Sequence, residues 1–114
     1  MLEENLKKAY GELFKRYNTL AQQNQDKIKD GHAHTIMQMG IKAIGSPDDF
    51  TAEKMSRWLG FVQGILFANG IISIDAERDY SRPILHKAYL DSKIDIPKSI
   101  DINQEILESW GEFS

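Results

Sequence analysis

Between Thr51 and Gly70 the apolar positions leave no polar face. Trp58, Leu59, Phe61, Val62, Ile65, Leu66 and Phe67 go right round a 3.6-residue period, and no charged side chain lies between Arg57 and Asp75. The pattern predicts a wholly buried helix over about 51–69, with the other segments packed around it. Thr51 is placed to cap it, Glu53 sits in its first turn, and Ser46-Pro47-Asp48-Asp49 predicts a helical turn just ahead. Asn69-Gly70 supplies the stop, with Ile71 or Ile72 for the apolar contact that accompanies such an end.

Upstream, Leu2, Leu6, Ala9 or Tyr10, Leu13, Tyr17 and Leu20 recur at spacings of three and four, while Glu3, Lys7, Lys8, Glu12, Lys15 and Arg16 fall elsewhere on the wheel. This predicts an amphipathic helix covering the central one. The polar stretch 21–31, anchored by Ile28, reads as its exposed continuation or frayed end. His32 to Ile44 then reads as a second helix with Ile36, Met37, Gly40, Ile41 and Ile44 on one side, stopped by Gly45-Ser46-Pro47.

Downstream, Ser73 can cap a helix from Ile74 with Asp75 in its first turn, and Pro83 predicts two short helices meeting near Ser81. An extended piece around Ile94 and Ile96 follows. Asp101, with Gln104 three residues later, then opens a final helix from Ile102 to Trp110, apolar on Ile102, Ile106, Trp110 and Phe113. The fold class is therefore all-α: a compact bundle of four to six helices in a single domain, 1–114. A chain of this length buries roughly two-thirds of the surface it exposes unfolded, enough for one core.

Gly60, Gly64 and Ala68 recur every fourth residue, and each glycine lowers helix propensity by about 1 kcal/mol relative to alanine. A second helix of the same chain packed closely against them is the ordinary account. The alternative is a self-association seam, making the protein a structural or regulatory homo-oligomer. A membrane span is disfavoured: the uncharged run from Trp58 to Ile74 is short for a bilayer and carries Gln63, Asn69 and Ser73.

Composition narrows the chemistry. With no cysteine, disulfides, thiolate zinc sites and cysteine nucleophiles drop out, and MLEENLKK contains no apolar signal region, so a cytoplasmic protein is expected. Residues 1–29 carry six Lys/Arg and four Asp/Glu, residues 30–89 six and seven, and residues 90–114 two and six, which places the acidic excess in the tail. A net charge of −3 and a pI near 5.6 disfavour direct nucleic-acid binding.

Two clusters carry candidate chemistry. His32 and His34 beside Asp30 are metal-ligand types, but positions i and i+2 diverge on a helix, so a solvated helix start explains them and no metal or other cofactor is expected. Arg78, Arg82 and His86 align four apart if their helix continues through Pro83, and Arg57 joins them only if packing brings it there. Guanidinium groups so placed suit a phosphate or carboxylate, although Asp75 and Asp79 are spaced to neutralise them within the helix. No phosphate loop, nucleophile motif or metal-binding histidine pair is present, so the chain reads as a non-enzyme.

The run Arg57-Trp58-Leu59-Gly60-Phe61-Val62-Gln63-Gly64-Ile65-Leu66, followed by Asp75, Arg78-Asp79, Arg82-Pro83 and His86-Lys87-Ala88-Tyr89, resembles small uncharacterised proteins of tailed phages and prophages over residues 54–89. The resemblance implies a setting and no activity: small accessory phage proteins often bind and block a host factor. The leading expectation is thus a phage-encoded inhibitor of a bacterial defence complex, of anti-CRISPR type, contacting a host protein or protein–nucleic-acid complex. Asp95, Asp101, Glu105, Glu108 and Glu112 would supply an acidic surface, with Trp110 and Phe113 as apolar anchors. The alternative is a small-ligand or nucleotide-signal binder using Arg57, Arg78, Arg82 and His86.

Overall fold

The computed structural model describes residues 2–96, which form four helices and no strand: α1 (Glu4–Gln23), α2 (His32–Gly45), α3 (Ala52–Ala68) and α4 (Ile74–Ser92), with a 3-10 turn at Pro47–Asp49. The all-helical class follows from the periodicities. The final helix expected from Ile102 lies outside the described residues.

α1 is the organising helix, because it packs against α2, α3 and α4 alike. Leu6, Ala9, Tyr10, Leu13, Phe14, Tyr17 and Ala21 are all buried along it. They form a stripe wide enough to serve several neighbours at once. The expectation of a central, wholly buried helix at 51–69 is thereby overturned: α3 buries Met55, Ser56, Leu59, Val62 and Leu66, while Phe61 stays 56% exposed and Phe67 48%. An uncharged helix need not be an enclosed one, since apolar periodicity records composition and not how many neighbours arrive.

Local signals were sound at most helix ends. The Thr51 hydroxyl accepts from the Lys54 amide at 3.0 Å and the Ser73 hydroxyl from the Ala76 amide at 3.2 Å. α3 stops at Asn69, after which Gly70 takes φ +75° and the Ile71 amide bonds back to the Leu66 carbonyl at 2.9 Å. Ser46 precedes the expected turn but makes no side-chain cap there. The polar stretch after α1 leaves the helix at Asn24, and the Asn69 side-chain carbonyl pins it to the end of α3 by accepting the Lys29 amide at 3.1 Å.

Two further expectations fail for tertiary reasons. Pro83 does not divide α4, which runs unbroken through it, so Ser81 is a buried mid-helix residue and not a cap. Packing of Glu77, Leu85 and Tyr89 on α1 holds both halves in line against the lost proline hydrogen bond. In α2 the buried face is Ile36, Gly40 and Ala43, leaving Ile41 and Ile44 to solvent. The face is rotated because α1 approaches α2 over Gly40, where an added Cβ would overlap the Asn18 side-chain amide.

That contact makes a prediction. Gly40→Ala should lower stability by about 1–2 kcal/mol, overpacking outweighing the gain in helix propensity. With Asn18→Ala in the same chain the methyl group has room, and the substitution should turn neutral or stabilising. Urea unfolding of the four variants of this double-mutant cycle measures the coupling, which should exceed about 1 kcal/mol.

No helix among the described residues is long and apolar enough to cross a membrane.

Candidate functional site

Five residues separate the end of α3 from the start of α4, so the chain doubles back, yet the two helices lean on α1 and not closely on each other. Between them lies a groove of about 260 Å³. Its α3 wall is Ser56, Leu59, Gly60, Gln63, Gly64 and Phe67. Its α4 wall runs from Ile74 through Glu77, Arg78, Ser81 and Arg82 to Leu85, and Ile72 closes the turn.

The wall along α3 is bare. A Cβ built on Gly60 or Gly64 meets no heavy atom of the described residues within 4 Å, and both glycines and Ala68 are exposed. Close packing of a second helix of residues 2–96 on this stripe, the ordinary account of it, is thereby overturned. The propensity lost at the two glycines goes unrecovered within the described fold.

Beneath the groove sits a charged network that sequence reasoning did not find. Glu77 is only 5% exposed, and its carboxylate accepts from Arg16 Nε at 3.0 Å, Arg16 Nη2 at 3.2 Å and the Tyr17 hydroxyl at 2.7 Å. The Tyr17 oxygen in turn accepts from Gln63 Nε2 at 2.8 Å, and the Arg16 guanidinium stacks 4.1 Å above the Tyr80 ring. The hydrogen bond to Glu77 holds Arg16 above its ordinary value, and burial pushes the Tyr17 phenol up. The whole set is internally paired, so it serves to fix the floor of the groove by tying α1 to both walls. In sequence, Glu77 reads as a first-turn helix acid, and nothing in the spacing announces a partner 61 residues away.

At the Ser56 end a second buried contact closes the floor. The Tyr10 and Tyr89 hydroxyls lie 2.7 Å apart with their rings edge to face, and burial raises both phenols.

Of the expected anion cluster, Arg78 and Arg82 do line the groove together, because α4 is continuous. His86, four residues on, is half-buried and outside the lining; Arg57 is exposed on α3 and faces Glu53 at 3.9 Å. Of the four residues, Arg78 and Arg82 are the two that the groove brings together. His32 is half-buried, and His34 and Asp30 are exposed; among the described residues no three His, Cys, Asp or Glu side chains gather as a metal site. Of the expected acidic surface only Asp95 is described, exposed after α4, while Asp101, Glu105, Glu108, Trp110, Glu112 and Phe113 lie outside the described residues.

No family model matches the chain, and neither a curated protein nor a solved structure is similar to it. Nothing in these comparisons links the chain to phage proteins.

Proposed function

We propose that this is a non-enzymatic binding protein whose α3–α4 groove receives an amphipathic helix of a protein partner, with acidic residues flanking that helix's apolar stripe. The observation that carries the reading is the bare glycine wall facing an apolar, arginine-rimmed channel. Two glycines one turn apart let a helix approach closely, Leu59, Phe67, Ile72 and Leu85 offer it apolar contact, and Arg78 and Arg82 favour acids beside it. Glu77, the one carboxylate in the lining among the described residues, is already engaged by Arg16 and Tyr17, which suits a floor better than a catalytic group. In the setting implied by the 54–89 likeness, the partner is a host protein or a protein–nucleic-acid complex.

A synthetic acidic helix with large apolar residues at i, i+4 and i+8 tests the reading by amide chemical-shift titration. Shifts should concentrate on α3 and α4 around Gly60, Gly64 and Phe67. Gly60→Leu has room in the described fold, so it should weaken binding at least about tenfold while leaving the α1 and α2 spectrum unchanged. Unaltered affinity in that variant would remove the groove from the site. A second reading, a small anionic ligand, draws on Arg78 and Arg82 alone. It predicts that an inorganic phosphate titration shifts those two residues and leaves Gly60 untouched.

A further inference from the structure

The flank of α3 beside the groove carries a different chemistry. Lys54, Arg57, Trp58, Phe61 and Ile65 recur at i, i+3, i+4, i+7 and i+11, which sets them on one face over about 16 Å of helix. None of them lines the groove. Phe61 is 56% exposed, and the Arg57 side chain, about one turn before it, is 69% exposed.

Lysines reach this face from two helices. Buried Phe50 meets Trp58 edge to face at 4.8 Å, and the Lys54 ammonium lies 4.9 Å from the centre of the Phe50 ring and 5.4 Å from that of Trp58. Lys42 comes over from α2 to 5.9 Å from the Trp58 ring. Among the described residues neither ammonium forms an ion pair, so the rings hold two lysines in place and leave their charge available. The neighbouring acids compete weakly: Lys7 takes Asp48 at 2.7 Å, Glu53 faces Arg57 at 3.9 Å and lies about 100° round the helix from Lys54, and Asp49 is exposed. No further acid follows until Asp75.

The net charge of −3 does not decide what such a face attracts. Charges more than about 8 Å away are largely screened at physiological ionic strength, so three local cations outweigh acids on other helices. Cations around an exposed ring suit a polyanion that carries aromatic surfaces of its own. In single-stranded nucleic acid the bases are free to stack on Phe61 beside Trp58, while the phosphates meet Lys42, Lys54 and Arg57. A free nucleotide calls for a concave pocket, and this face is an open ridge. An anionic lipid surface calls for several exposed apolar side chains in one plane, whereas the exposed Ile41 and Ile44 stand at least about 100° round α2 from Lys42.

We propose that the face of α3 formed by Lys54, Arg57, Trp58 and Phe61, together with Lys42 of α2, binds single-stranded nucleic acid. The site is separate from the α3–α4 groove and does not depend on the reading of that groove.

Fluorescence anisotropy of a labelled oligothymidylate titrated with the full chain tests it. Binding should saturate at about 50 mM salt and weaken with added salt at a log–log slope of about −2, as about three phosphate contacts require. Phe61→Ala should weaken binding at least about fivefold with the slope unchanged, through loss of one stacked base. Lys42→Gln should make the slope shallower by about 0.7, through loss of one phosphate contact. Gly60→Leu, in the groove, should alter neither affinity nor slope. Failure to bind the oligonucleotide would overturn the proposal, as would full affinity in Phe61→Ala. Equal affinity for a duplex of the same length would also sink it, since charge alone would then account for binding. So would competition by polyglutamate as strong as by unlabelled oligothymidylate, which would assign the face to an acidic peptide.

Discussion

Tyr10→Ala should destabilise the protein by about 3–5 kcal/mol, a large share of the roughly 5–15 kcal/mol available to a domain of this size. Tyr10 is fully buried on the helix that touches every other, its ring meets Tyr89 edge to face at 6.3 Å, and its hydroxyl lies 2.7 Å from that of Tyr89. The alanine variant loses the ring's burial, opens a cavity between α1 and α4 and strands the Tyr89 hydroxyl. Tyr10→Phe separates these contributions: it keeps the ring and should lose only about 1–2 kcal/mol, the penalty for one buried hydroxyl left without its partner. Equilibrium urea unfolding of both variants measures the difference, and equal losses would place the stabilisation in the hydroxyl pair and not in packing. The same tyrosines give the protein an alkaline limit. Tyr10, Tyr17 and Tyr89 are all held above the ordinary tyrosine value of about 10, so the fold favours their neutral forms. Their contribution is intact below pH 10 and falls away as the pH rises beyond it.

Arg16→Ala should lower stability by about 2–4 kcal/mol, and more than Glu77→Gln. The asymmetry follows from burial. Glu77 is almost wholly enclosed, so deleting Arg16 leaves a carboxylate with the Tyr17 hydroxyl as its remaining hydrogen-bond donor among the described residues, whereas about a third of the Arg16 side chain is already in water and can turn outward. Exposure of the arginine also keeps the loss toward the lower end of the range for a broken buried pair. Replacing both partners by apolar residues, Arg16→Met with Glu77→Leu, should recover part of the loss, since no charge is then left buried. Thermal unfolding of Arg16→Met, Glu77→Leu and the double variant decides it. A double variant as unstable as the sum of the two singles would mean that the pair does not act as a unit.

The groove ties these energetics to function. Its two walls are carried by helices that meet α1 separately, and the Arg16–Glu77–Tyr17–Gln63 network sets their spacing. Variants of that network should therefore weaken helix binding beyond their effect on stability, because a channel that widens loses contact along its length. Away from the groove lining, Phe50 meets Trp58 edge to face at 4.8 Å, with the Lys54 ammonium 4.9 Å above the Phe50 ring. No described helix packs on the glycine wall.

By itself the sequence determined the elements. The spacing of Leu6, Tyr10, Leu13 and Tyr17 dictates α1, the hydroxyls of Thr51 and Ser73 begin α3 and α4, and Asn69-Gly70 ends α3, because capping and left-handed turns are settled among residues within four positions of each other. It also put Arg78 and Arg82 on one face, conditional on α4 being continuous. Only the tertiary structure decided which faces are covered. α3 is apolar all round, but burial depends on how many neighbours arrive, and α1 reaches it from one side. Pro83 carries a local preference worth a few kcal/mol, and packing of both halves of α4 on α1 overrode it. Glu77 found Arg16 and Tyr17 across some sixty residues of chain, a distance over which no periodicity carries information. The glycines of α3 are legible as a stripe in either account; that the stripe faces outward is a property of the packed helices alone.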